Sequence, residues 1–124
     1  MQPGDTFLMP CPGYSPRESH LWIVISDPAK HGGIFIIVNV TKNANRAGNE
    51  CELNKGDHQW VNQKCFVNFG DALEISVAQA KNIYQLMASK TVTTHDPLDE
   101  KVFQRIIVAA KQSVALEPEY KKYL

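Results

Sequence analysis

Two apolar runs separated by seven residues constrain this chain more than any other feature. They are His20-Leu21-Trp22-Ile23-Val24-Ile25-Ser26 and Ile34-Phe35-Ile36-Ile37-Val38-Asn39-Val40-Thr41. Both are β-branched and aromatic almost throughout, and neither shows the strict alternation of a strand wetted on one side. They read as strands buried on both faces, or nearly so. Asp27-Pro28 stops the first run and Lys30-His31-Gly32-Gly33 has turn composition, so the two are expected to pair as an antiparallel hairpin. Neither run is long enough to cross a bilayer.

Shorter strands flank this pair. Thr6–Met9 is one, ended by Pro10-Cys11-Pro12-Gly13, where two prolines and a glycine exclude regular pairing. Cys51–Leu53, Cys65–Phe69 and Ala72–Ser76 are further candidates, with a turn at Lys55–His58. The segment Lys42–Glu50 is polar and reads as a loop. From Ser76 the period changes. Ser76 and Gln79 have the spacing of a capping box, opening a helix through Ile83, Leu86 and Met87. Asp96-Pro97 looks like a second helix start, followed by Leu98, Val102, Ile106, Ala110 and Val114 on one stripe until Pro118. Glu117–Leu124 reads as a frayed end or docking segment. The expected fold is mainly β with C-terminal helices (α+β). A single domain over residues 1–124 has its helical elements within about 77–116, and a helix covers one side of a small barrel or bent sheet.

Composition narrows the chemistry. Lys plus Arg and Asp plus Glu are equal at 13 each, so bulk charge gives no steering toward nucleic acid and any polyanion site must be local. No basic segment followed by an apolar one opens the sequence, so no secretory signal is expected. The three cysteines, Cys11, Cys51 and Cys65, then read as free thiols in a reducing cytoplasm. No glycine-rich phosphate loop, His-Glu-x-x-His or Cys-x-x-Cys is present.

Candidate residues therefore come from polar groups at strand ends. His20 opens the first apolar run just after Arg17, and a histidine there could serve as general acid or base. Thr41 closes the second run, with Lys42 and Arg46 following. A hydroxyl and two cations at one strand end could hold a phosphodiester. His58, in its turn, could pair with His20 across an RNA 2′-hydroxyl and the leaving 5′-oxygen. Each has a plainer structural reading: a strand-end histidine, a β-forming threonine, a turn histidine under Trp60. Cys51, His58 and Cys65 are spaced too widely for a usual zinc knuckle and lack an obvious fourth ligand, so no metal or other cofactor is expected. Trp22 is expected in the core, and His31 and His95 in solvated loops.

The order of elements resembles that of the PemK/MazF-type toxins. Gly4-Asp5-Thr6-Phe7-Leu8, a Pro/Gly loop, a polar residue opening an apolar strand that ends at Ser26, the strand ending at Thr41, and Cys65–Ser76 before the helices carry the likeness over roughly residues 4–116. The resemblance implies an SH3-like barrel of about five to seven antiparallel strands. It also implies metal-independent cleavage of single-stranded RNA, homodimerisation and an antitoxin partner. It places the family's catalytic threonine on Thr41 and its arginine on His20, with Leu21 where the family has proline. Histidine can move a proton there but supplies no permanent bidentate guanidinium, a role Arg17 could take from the loop. The resulting expectation is a toxin-like endoribonuclease, or a degenerate relative of one. Its catalytic residues are His20, Thr41 and His58, and its substrate-binding residues are Arg17, Lys42 and Arg46. The alternative is a non-catalytic barrel of a phage or mobile-element protein that binds nucleic acid or protein.

Overall fold

In the computed structural model, residues 1–10 and 19–124 are described. The chain begins with β1 (Thr6–Pro10), followed by β2 (Ser19–Val24) and β3 (Phe35–Thr41). The expected hairpin forms, with Trp22 opposite Asn39 and Val24 opposite Ile37. Its connection contains one 3₁₀ turn, Pro28–Lys30, capped by Asp27, whose carboxylate accepts from the Ala29 N–H at 2.9 Å. Gly33 closes the turn at φ +91°, and a Cβ there would sit 2.9 Å from Val77, so both backbone and space require glycine.

After β3 come a four-residue helix α1 (Ala44–Ala47), β4 (Glu52–Leu53) and β5 (Cys65–Ile75). The segment read as a loop from Lys42 to Glu50 thus holds one helical turn, opened where the Asn43 side chain accepts from the Asn45 N–H at 3.0 Å. The two strands expected at 65–69 and 72–76 are one strand with a pronounced irregularity. From Ile37 to Asn39 the partner changes from Leu73 to Asn68, two steps on β3 against five on β5. Such an excess bends a sheet sharply.

The remaining elements are α2 (Val77–Ala88), β6 (Thr93–His95), α3 (Glu100–Gln112) and a short α4 (Pro118–Lys121). The capping box at Ser76 is present, with the Gln79 N–H donating to Ser76 Oγ at 3.1 Å and the Ser76 N–H to Gln79 Oε1 at 2.8 Å. β6 is short and polar, and pairs with β1 through Thr6 opposite His95. The second long helix starts at Glu100 with Asp99 as its cap, not at Asp96-Pro97. The chain before it is held extended because Leu98 N–H donates to the Gly4 carbonyl and the Asp96 carbonyl is taken by side chains of Thr6 and His58. It also ends earlier than the stripe suggested. The Glu50 carboxylate accepts from Ser113 Oγ and the Val114 N–H at 2.5 and 2.7 Å, and Val114 is 95% exposed. Pro118 opens α4 instead of stopping α3. The tail is docked, with Lys121 Nζ donating to the Ser113 carbonyl at 2.6 Å.

The described strands form a single antiparallel sheet in the order β4-β5-β3-β2-β1-β6, bent into a half-barrel. Strand alternation explains the continuous apolar runs. Leu21, Ile23, Ile36, Val38 and Val40 point toward α3 and meet Val102, Ile106 and Ala110. Trp22, Val24, Phe35 and Ile37 point the other way and meet Ala80 and Ile83 of α2. Truncating a side chain as buried as Ile106 costs about 2–5 kcal/mol.

Candidate functional site

The α2-facing side of the sheet is apolar only under the helix. Beyond Trp22 it becomes mixed, with polar side chains among the apolar ones. One cross-strand row runs Phe7–Trp22–Asn39–Asn68. In the next row Met9 pairs with His20, and Thr41 with Phe66. His20 lies two residues before Trp22, and Thr41 two residues after its partner Asn39. Side chains alternate along a strand, so His20, Asn39, Thr41 and Asn68 project from the same face at the sheet end away from α2. The two strand-end residues singled out in the sequence are therefore brought together.

His20 Nδ1 lies 3.3 Å from the Val40 carbonyl. A carbonyl only accepts, so this contact places the proton of the neutral ring on Nδ1 and leaves the lone pair on Nε2. The ring is half-buried, and Nε2 is shielded from solvent. Thr41 is 6% exposed, and its Oγ1 accepts from the Asn43 N–H at 3.2 Å, tying the strand end to the turn that follows. Asn68 donates to Asp71 Oδ2 at 3.0 Å. Sequence reading missed Asn39 and Asn68, both buried. Asn39 carries its own signal, as the one amide inside the long apolar run.

Lys42 is exposed at the end of β3, and Arg46 belongs to α1, though its side chain lies outside the described residues. Arg17 also lies outside them.

His58 does not join this face, which corrects its pairing with His20. Its Nε2 is 2.7 Å from the Asp96 carbonyl and 3.2 Å from Thr6 Oγ1, while Nδ1 accepts from the Trp60 N–H at 3.0 Å. Thr6 shares the parity of Leu8, Leu21 and Ile23, so the ring sits on the α3 side. It also sits at the end of β1 away from Met9 and His20. With both nitrogens engaged by fixed backbone groups, His58 is a clasp that fastens the 54–64 connection to β1 and the start of the α3 segment.

Cys51 and Cys65 are buried, and burial pushes both thiols up to about 11. Among the described residues no three His, Cys, Asp or Glu side chains come together as a metal-binding group. Neither His31 nor His95 is a bare loop residue. His31 Nε2 lies 3.1 Å from the Tyr123 carbonyl, and His95 sits on β6 with Nδ1 3.1 Å from Gln59 Nε2.

No family model and no curated protein matches the sequence. Among solved structures, the chain is similar to a chain of the MazE–MazF complex from Deinococcus radiodurans. The TM-score is 0.56 at 14% identity, over 94% of this chain and 98% of that one. The fold is MazF-like. In this MazF-like fold the bent sheet, with helices on both its faces, gathers His20 and Thr41 at one end. Among the described residues no helix is long and apolar enough to cross a membrane.

Proposed function

We propose that this protein is a MazF-like toxin that cleaves single-stranded RNA without a metal ion. The observation that carries the reading is the shared face of His20 and Thr41, with His20 held by the Val40 carbonyl so that Nε2 is its basic nitrogen. His20 Nε2 takes the proton of the RNA 2′-hydroxyl as its oxygen attacks phosphorus. The P–O5′ bond breaks, leaving a 2′,3′-cyclic phosphate, and water protonates the departing 5′-oxygen. Thr41 Oγ1 donates to a non-bridging phosphate oxygen, and Lys42 with Arg17 and Arg46 supplies the positive charge that holds the phosphodiester. His58 has no part in the step. As a toxin of this type the protein acts in the cytoplasm, as a homodimer restrained by an antitoxin protein.

A second reading is favoured by one observation. Thr41 is 6% exposed and His20 Nε2 is shielded, which closes the reacting groups to solvent. On that reading the barrel is degenerate and grips nucleic acid or protein through the Lys42–Glu50 segment.

Inducible expression in a bacterium separates the two. The wild type arrests growth and fragments cellular RNA, while His20→Ala does neither at equal soluble level. Unaffected growth and intact RNA with soluble wild-type protein would sink the nuclease reading.

A further inference from the structure

A cavity lies just past the end of β3, beside Lys42. It has a volume of about 570 Å³, within the range of small-ligand sites. Its lining combines Trp60, the amides of Gln59, Asn62 and Gln63, the ammonium of Lys42, and His95. Gln59, Asn62 and Gln63 are exposed, and Trp60 is half-buried, anchored against the α3-side core. His95 Nε2 is shielded from solvent and has no hydrogen-bond partner among the described residues.

Each component matches one part of a nucleotide. An indole offers a stacking surface that any base can use. Side-chain amides carry both a donor and an acceptor, and can pair with the Watson–Crick edge of a base that is not already paired. A lysine at the rim attracts the phosphate backbone. Lys42 directly follows Thr41, so a strand whose phosphate lies at Thr41 reaches this cavity by rounding the end of β3. The clasp formed by His58 fixes the cavity wall, because its Nδ1 holds the Trp60 N–H and so sets where the indole starts.

We infer that this cavity is a base-recognition pocket that takes one unpaired nucleobase next to the cleaved phosphate and sets the RNA sequence preference. The inference rests on the nuclease reading for its substrate class, but it makes a separate binding claim.

The test uses the full chain and short 2′-O-methyl oligonucleotides of A, U and C, which lack the attacking hydroxyl, with a fully paired duplex as control. Trp22 is fully buried, so a change in tryptophan emission on binding reports Trp60. The expected result is quenching by at least one single-stranded oligomer and none by the duplex. Variants at Trp60 lack this reporter, so their affinities are read from the anisotropy of a labelled oligomer: Trp60→Ala weakens binding roughly tenfold, the scale of one lost base–aromatic stack, while Trp60→Phe keeps most of the affinity. Because Trp60→Ala also removes a packed side chain, Asn62→Ala and Gln63→Ala at exposed positions provide the independent arm. They are expected to change the rank order of A, U and C. No quenching by any single strand, or an unchanged rank order in both amide variants, overturns the pocket. Cleavage of a mixed-sequence RNA by the same proteins distinguishes the two claims. Cleavage with unaltered site preference in both amide variants defeats the pocket and leaves the nuclease. Base-selective binding with no cleavage does the reverse.

Discussion

The His58 Nε2 nitrogen lies 2.7 Å from the Asp96 carbonyl oxygen, across a sequence gap of 38 residues. Together with the Trp60 N–H on Nδ1, this contact fixes the ring as the Nε2–H tautomer, since a backbone N–H needs an acceptor and a carbonyl needs a donor. The histidine therefore joins the β4–β5 connection to the far side of the half-barrel, where no strand pairing among the described residues does so.

His58→Ala is expected to cost about 2–4 kcal/mol, because it removes the ring and leaves the Trp60 N–H unpaired in a mostly buried place. Thermal or urea unfolding measures this. At saturating RNA the turnover per folded molecule should hold, while RNA binding weakens because Trp60 loses its anchor. A catalytic His58 would give the opposite pattern, near-normal stability with activity lost.

The Arg105 guanidinium meets both oxygens of Asp57, at 3.2 and 3.1 Å, and pins the turn before His58 to α3. Burial alone would raise the Asp57 carboxyl. The Arg105 bonds and the Asn54 N–H outweigh it and hold the group below its ordinary value. A depressed carboxylate stabilises the fold above its unfolded pKa, and that contribution is lost as pH falls through the lower folded value. Asp57→Asn should thus cost about 0.5–1 kcal/mol at about pH 7, as for a well-formed exposed pair. The gap between the two proteins should shrink as pH drops below about 4. Melting curves against pH check it, and a gap independent of pH would contradict the assignment.

Cys51 and Cys65 face the α3-side core with thiols pushed up to about 11 by burial. Thiolate is the reactive form, and at about pH 8 only about one part in a thousand of either would be ionised. Iodoacetamide should leave both unmodified in the native protein and label both in denaturant, as read by peptide mass spectrometry. Rapid native labelling at either position would show that the β4–β5 ladder opens easily.

The sequence carried the hairpin plainly, because covering both faces of β2 and β3 demands unbroken apolar runs. It carried Ser76 as a helix start for the same kind of reason, since the capping box is local. The start of α3 was misplaced because Asp96-Pro97 has the right local chemistry, but Thr6 and His58 claim the Asp96 carbonyl from a distance. β6 left no trace, since three polar residues become a strand only when β1 offers them an edge. Of the site, His20 and Thr41 could be picked out as polar residues closing apolar strands. That His58 faces the other way depends on the register of β1 against β2, which no local pattern specifies. The cavity beside Lys42 joins the 59–65 segment to β6, and such a juxtaposition belongs to the bend in β5.

Metal-independent RNA cleavage through His20 is tested by incubating purified wild type and His20→Ala with a long single-stranded RNA in excess EDTA and mapping the new ends. Discrete fragments ending in 2′,3′-cyclic phosphate are expected from the wild type. His20→Ala should be slower by about two to four orders of magnitude, the usual contribution of a positioned acid–base group. Intact RNA with folded wild-type protein, or equal cleavage by both proteins, would contradict it.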